Sequence, residues 1–414
     1  MGGLRAGRLI PALASGRAPS HWGTTNVDVK RIVLLGSTGS IGQQTLDVVR
    51  AHPDRLQVVG LAAGRQVDEL ARQAREFGAA ACVVEPTLYE ELRRLVGGGA
   101  RRVSAGEEGL CALAAGSDVD LVVGAVSGLG GLAPVLAALE AGHDVALANK
   151  EPLVAAGQLV TETANRFGAD LIPIDSEISA VFQALRGEDP ETVERLLLTA
   201  SGGPFSSYSV EELEAVTPAQ ALDHPTWRMG RKVTVDSATL ANKGFELFEL
   251  RWLFGVPFER IEVVVHHQSI IHSAVEFCDG SVIAQMGLPD MRTAIQYALL
   301  HPRRAPNRLA RLDLASIGRL TFARPDVERF PCLRLAYEAG TAGRTYPAVL
   351  NGADEEAVGL FLEGRIGFLD IPRAIEAALD AHEPAPTALR ADILRADAWA
   401  REHVRARHAP SGPG

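Results

Sequence analysis

Lys30-Arg31-Ile32-Val33-Leu34-Leu35-Gly36-Ser37-Thr38-Gly39-Ser40-Ile41-Gly42 is the stretch on which the fold turns. A short apolar run of strand length leads into three glycines spaced G-x-x-G-x-x-G, then into a helix-like stretch through Val49. Glycines at a strand-to-helix turn let the backbone approach a pyrophosphate, and the free N–H groups of the following helix face it. The more usual dinucleotide spacing is G-x-G-x-x-G, so the loop alone also reads as a tight packing turn. Its place after the first strand of a βαβ unit favours the dinucleotide. Leu56 to Ala62, Ala80 to Val84, Leu121 to Gly124 and Val145 to Ala148 read as further strands, separated by helical stretches such as Glu69 to Glu76. Alternation of this kind predicts a parallel, doubly wound sheet. The second strand ends in Leu61-Ala62-Ala63-Gly64-Arg65-Gln66, where an NAD site would carry an acid for the ribose 2′-OH. Arg65 in that place favours the 2′-phosphate of NADP(H), a solvated surface arginine being the alternative.

The 414 residues suggest roughly two to three domains. A net charge of −10 with no basic stripe argues against a nucleic-acid binder, and no apolar run reaches the ~18 residues of a membrane span. Cys82, Cys111, Cys278 and Cys332 are scattered, which suggests neither a zinc site nor a disulfide framework and fits a reducing cytoplasm. Residues 1–27 lack acids and are rich in Ala, Gly, Ser and Arg. We read 1–28 as a disordered extension of a bacterial cytoplasmic protein, a plastid transit peptide being the alternative.

From Leu171 the composition shifts toward Pro, Ser, Thr, His and aromatic residues, and longer strands such as Glu262–Val265 and Ser281–Met286 appear. This marks a second, α+β domain. Residues 301–330, with Pro302, Pro306 and Pro325, read as a linker, and Leu333–Arg407 as amphipathic helices ahead of a Pro/Gly tail.

The chemistry concentrates between Asp175 and Glu246. Asp175 and Glu177 follow Leu171-Ile172-Pro173-Ile174, and on a continuing strand both would point to one face. With Glu246 they supply three carboxylates, the ligands a hard divalent cation prefers. Asn242, Lys243 and Glu246 span little more than one helical turn and share a face. Serine, asparagine and lysine side chains between and beside these acids suit a phosphorylated substrate, since they donate hydrogen bonds or positive charge. Lys150 ends another strand of the first domain and is placed to reach the same crevice. Residues 217–231, without periodicity and containing His224, Trp227 and Met229, are a candidate flexible lid. His266, His267 and His272 lie near or within a strand, where histidines more often fill structural roles.

Several long motifs in fixed order then resemble one family, the 1-deoxy-D-xylulose 5-phosphate reductoisomerases. They are GSTGSIG at 36–42, ANKEPLV at 148–154, PIDSE at 173–177, LTASGGPF at 198–205, HPTWRMGRKVTVDSATLANKGFE at 224–246 and GLPDMRTAI at 287–295. The resemblance runs from about Lys30 to about Glu402. It implies an α/β protein with an N-terminal Rossmann-like NADPH-binding domain (29–174), a central α+β catalytic and dimerisation domain (175–300), the linker 301–330 and a C-terminal helical domain (331–407). It further implies a homodimeric oxidoreductase and isomerase of the non-mevalonate isoprenoid route. That enzyme uses NADPH and Mg²⁺ or Mn²⁺, with Co²⁺ as a further option. A dehydrogenase for another small substrate, or a non-catalytic NADPH sensor, explains fewer of these residues.

The resemblance assigns roles residue by residue. Asp175, Glu177 and Glu246 are implied as metal ligands. Lys150, Ser176 and Asn242 would meet the substrate's hydroxyl and keto oxygens, with Glu151 supporting. Ser201, Ser237, Asn242 and Lys243 would hold its phosphate, His224 and Trp227 would belong to the closing loop, and His272 would border the substrate. Thr38, Gly39, Ser40, Ile41, Gly64, Arg65, Gln66, Asn149, Glu151 and Gly230 would contact the dinucleotide, and Met229 and Met291 would flank its nicotinamide.

The chain departs from the family pattern at Ile178, where a His is usual, and at Pro152, His267 and the Asn351-Gly352-Ala353-Asp354-Glu355 segment. An isoleucine beside the metal ligands predicts one missing polar contact and a catalytic handicap of roughly five- to a hundredfold, relieved by His at position 178 or compensated by His267.

Overall fold

The structure, a computed structural model, describes residues 29–97 and 102–409. The extension at 1–28 and the Pro/Gly end at 410–414 lie outside them. Seven strands form one parallel sheet: β1 (Lys30–Leu35), β2 (Leu56–Ala63), β3 (Ala80–Val83), β4 (Val103–Ala105), β5 (Leu121–Gly124), β6 (Asp144–Leu147) and β7 (Leu171–Pro173). Their order is β4-β3-β2-β1-β5-β6-β7. Ile32–Leu35 and Leu121–Val123 are buried without interruption, as strands covered on both faces must be. Between the strands run α1 (Ser40–Ala51), α2 (Val67–Phe77), α3 (Tyr89–Val96), α4 (Gly106–Ala114), α5 (Leu132–Glu140) and α6 (Glu151–Phe167). The winding reverses between β1 and β5, and the carboxyl ends of the strands open a crevice there.

A second sheet contains β8 (Val193–Ala200), β9 (Ile261–Val265), β10 (Ile271–Phe277) and β11 (Val282–Met286) in the order β11-β10-β8-β9. β10 pairs antiparallel with β8 and β11, whereas β8 and β9 run parallel. Around it lie α7 (Ser176–Ala184), α8 (Val210–Glu214), α9 (Pro218–Ala221), α10 (Arg231–Thr239), α11 (Ala241–Phe254), α12 (Met291–Leu300) and α13 (Leu314–Ile317). The 301–330 segment is largely irregular. Arg186 donates to the Pro302 carbonyl, and Ala323 bridges Val265, so the segment is fastened at both ends of its course.

The rest is helical: α14 (Cys332–Ala342), α15 (Tyr346–Leu362), α16 (Asp370–Asp380) and α17 (Arg390–Arg407). α15 packs against α16 and α17 on one side and reaches α6 and α10 on the other. No helix among the described residues is long and apolar enough to cross a membrane.

Candidate active site

The crevice is built from strand ends. Gly36 takes a φ of +92°, and a Cβ there would fall 2.2 Å from the Ala125 carbonyl oxygen. A Cβ on Gly42 would fall 2.2 Å from the Gly36 oxygen, so the turn from β1 into α1 requires glycine at both. α1 begins after Gly39 with no side-chain cap and no acid in its first turn. Among the described residues no side chain caps its leading N–H groups, which is the environment a pyrophosphate completes. Ser40 and Ile41 line the cleft beside it. Thr38 is buried in the turn, while Gly64, Arg65 and Gln66 stand exposed at the end of β2. The Arg65 side chain is 82% exposed and holds Glu85 only at 3.5 Å.

The metal-type carboxylates differ from the expected strand geometry. β7 stops at Pro173, and Asp175 is the N-cap of α7, its carboxylate accepting the Glu177 N–H at 3.4 Å. An Asp one step before an apolar-periodic run is a helix start. Asp175 and Glu177 thus converge because a helix begins between them. Glu246 joins from α11, and the three ligand oxygens lie within 4.8 Å of one another.

α11 is almost wholly buried, yet Asn242, Lys243, Glu246 and Glu249 form a polar stripe along it at helical spacing. Lys150, which precedes α6, inserts its ammonium between Asp175, Glu246 (3.2 Å) and Glu249 (3.4 Å). Lys243 bridges Glu177 (2.8 Å) and Glu246 (2.5 Å), and Asn242 donates to Glu246 at 2.5 Å. Burial works against these lysine charges, but the carboxylates outweigh it and raise both pKa values. Burial likewise opposes the Glu177 charge, yet Lys243 and the Ser176 hydroxyl hold it at about 2. Burial pushes Glu249 up to about 7. Three acids with two buried cations, and a buried Asn242 Oδ1 without a donor, form a donor set that a divalent cation fits. Glu249 was not anticipated as a site residue. Its signal is a second acid three residues after Glu246, on the same face of a largely buried helix.

Above this cluster His224 organises the lid. Its Nδ1 accepts the N–H groups of Thr226 (3.2 Å) and Trp227 (3.0 Å), which leaves the proton of the neutral ring on Nε2. Nε2 stands 3.2 Å from Ser201 Oγ and 3.1 Å from Ser237 Oγ. Burial, then the charge of Lys243, lowers its pKa and keeps it neutral. The lid is partly regular, since Pro218–Ala221 makes a helical turn and Arg231 opens α10. Trp227, Arg228, Met229 and Gly230 wall the cleft opposite Met291 of α12, with Ser201, Ser237 and Ser176 also on its wall. Arg228, Val233 and Ala148 are lining residues that the sequence reading did not single out.

Some expected residues stand back from the cleft. Asn149 and Glu151 hydrogen-bond each other, and Asn149 also donates to the Gly128 carbonyl at 3.3 Å. His272, buried in β10, lies behind Trp227 with ring centres 6.2 Å apart. Pro152 occupies the first turn of α6, where no N–H is needed, so its replacement of the usual Ser is conformationally harmless. Ile178 corrects the expectation of a missing polar contact. It is fully buried in the apolar core and does not line the cleft, because a helix turns it about 100° away from Glu177. His267 instead contacts the Ser201 carbonyl through Nδ1 at 2.8 Å.

A glycine-turn parallel sheet whose strand ends face three carboxylates and two buried lysines defines a dinucleotide-dependent, metal-dependent enzyme. Comparison with known proteins narrows the class. Family models described as 1-deoxy-D-xylulose 5-phosphate reductoisomerase match residues 32–157, its C-terminal domain residues 171–254, and the DXP reductoisomerase C-terminal domain residues 286–403. The reductoisomerase of Pelodictyon phaeoclathratiforme is 52% identical over 91% of this chain and 99% of its own length. That of Pelotomaculum thermopropionicum is 53% identical over 90% and 97%. The Zymomonas mobilis enzyme solved with NADPH superposes with a TM-score of 0.86 at 41% identity, covering 92% of this chain and 100% of that one. A reductoisomerase solved with NADPH, fosmidomycin and magnesium gives 0.88 at 38%, covering 92% and 98%. The chain belongs to the 1-deoxy-D-xylulose 5-phosphate reductoisomerase family.

Proposed function

We propose that Asp175, Glu177 and Glu246 hold the divalent cation, that Ser201, Ser237, Asn242 and Lys243 hold the substrate phosphate, and that the α1 turn with Gly64, Arg65 and Gln66 holds NADPH. The activity is the rearrangement and reduction of 1-deoxy-D-xylulose 5-phosphate to 2-C-methyl-D-erythritol 4-phosphate, a step of non-mevalonate isoprenoid synthesis. The observation that carries the assignment is the convergence of three carboxylates with Lys150 and Lys243 beside the glycine turn.

Held by Asp175, Glu177 and Glu246, Mg²⁺ or Mn²⁺ would supply Lewis-acid polarisation of the substrate's oxygens. Held by the α1 turn with Gly64, Arg65 and Gln66, NADPH would supply the hydride of the reduction. The chain's own groups do the rest. Lys150, kept protonated among acids, is a donor beside the oxygens that gain negative charge. His224, Ser201 and Ser237 gather hydroxyl donors at the phosphate side, so binding energy remote from the reacting carbons can hold the lid shut. Trp227 and Met229 then exclude water while Met291 backs the nicotinamide from the opposite wall.

We read residues 29–174, 175–300 and 331–407 as the cofactor, catalytic and helical units, joined by 301–330. A homodimer is supported by the edge strand β11, which exposes Val282 (53%) and Ile283 (39%). A cytoplasmic bacterial setting is supported by four unpaired cysteines and bacterial relatives. Calorimetry tests the metal assignment. Glu246→Gln should lose at least about 100-fold in Mn²⁺ affinity, more than substitutions behind a ligand usually cost. Unchanged affinity would remove Glu246 from the ligand set.

A further inference from the structure

Outside the cleft the chain buries a second charged cluster. Lys232 sits in the first turn of α10, where the helix dipole disfavours a cation, so local physics does not explain it. Its ammonium lies 2.8 Å from Asp236 on its own helix and 2.7 Å from Asp354 of α15. It also stands 4.3 Å over the ring of Phe245, the residue before Glu246 on α11. Asp236 is 2% exposed and Asp354 not at all. Asp236 Oδ1, both Asp354 carboxylate oxygens and Lys232 Nζ make no hydrogen bond among the described residues, so the cluster is held by charge at ion-pair distance. Burying such a group rarely adds net stability, but it fixes orientation sharply, since each charge can be satisfied in only one arrangement.

What the cluster orients is the phosphate side of the site. Lys232 directly follows the lid's last residue, Arg231, and Asp236 immediately precedes Ser237. We propose that Lys232 is a positioning residue, pinched between Asp236 and Asp354, that ties the helix bearing Ser237 and the lid's exit to the C-terminal helical unit. The proposal rests on reading Ser237 as a phosphate donor. Through it the C-terminal helices act on substrate affinity without touching substrate. Burial and the neighbouring Asp354 raise the Asp236 pKa and burial raises that of Asp354, while the two acids outweigh burial to raise that of Lys232 and keep it charged.

The test uses the full chain with Lys232→Gln, Asp354→Ala, Asp354→Asn and Ser237→Ala. Lys232→Gln and Asp354→Ala should each raise the KM for the keto-sugar phosphate about five- to a hundredfold while the KM for NADPH stays within about twofold. Their combination should be no worse than the poorer single variant, because both break one clasp. Asp354→Asn keeps an oxygen facing Lys232 and should recover most of the affinity. Parallel changes in both Michaelis constants, no change in either, an Asn variant as poor as Ala, or failure of both Lys232→Gln and Asp354→Ala to fold would overturn the proposal. If only one of them folds, that one decides. Ser237→Ala separates the two readings. An unchanged substrate KM there removes Ser237 as a phosphate donor and the clasp with it, whereas a raised KM there beside an unchanged one in Lys232→Gln defeats the clasp alone.

Discussion

Single positions carry most of the chemistry, and two of them set clear expectations. Ile178 has no exposed surface and belongs to the hydrophobic core, so a histidine there would bury an imidazole in an apolar setting. Ile178→His should cost about 1–3 kcal/mol in urea unfolding and bring no gain in kcat/KM. A gain would show that position 178 reaches the cleft after all. Arg65 is solvent-facing with one loose acidic partner, so its guanidinium is available to a 2′-phosphate. Arg65→Gln should raise the KM for NADPH about ten- to a hundredfold and leave that for NADH nearly unchanged, and equal effects would count against the assignment. The identity of the carboxylates was legible from residue type alone. Their geometry was not, because Asp175-Ser176-Glu177 reads equally as the end of a strand or as a cap with its first turn, and only the apolar run after it favours the cap.

At the scale of elements, the βα alternation was readable because buried parallel strands are continuous apolar runs of the β1 and β5 kind. β4 is not legible because three residues give no period to detect, whereas β7 reads as a short apolar run from Leu171 whose end at Pro173 the sequence does not mark. β8 is legible only as the motif that begins at Leu198, and β10 only as a strand near or around His272, since Thr199, Ser273 and His272 interrupt their apolar pattern. The lid depends on His224, whose ring joins two backbone N–H groups to two serine hydroxyls. His224→Ala should therefore raise the substrate KM about tenfold or more while NADPH affinity, measured by fluorescence titration, remains within about twofold. Weakened NADPH binding would place the histidine on the cofactor side instead. No sequence period announces such a hub, because it is made by one residue meeting Ser201 and Ser237 from distant segments.

In the whole molecule, the parallel sheet supplies Lys150 and the glycine turn, the start of α7 and α11 supply the three acids, Ser201 after β8 and Ser237 on α10 add the hydroxyls, and α15 braces α10 from behind. Length and motif order made this division readable, whereas the bracing by α15 was not, since nothing in the sequence pairs Lys232 with Asp354. The open edge at β11 leads us to expect a dimer, and sedimentation at micromolar concentration showing only a 44.0 kDa species would contradict it. The most direct measurement is absorbance of the reduced nicotinamide when the chain meets 1-deoxy-D-xylulose 5-phosphate. NADPH should be consumed only with Mg²⁺ or Mn²⁺ present, giving 2-C-methyl-D-erythritol 4-phosphate, and consumption should fall by orders of magnitude in Glu246→Gln. Metal-independent consumption, or none with both substrates and metal supplied, would contradict the assigned chemistry.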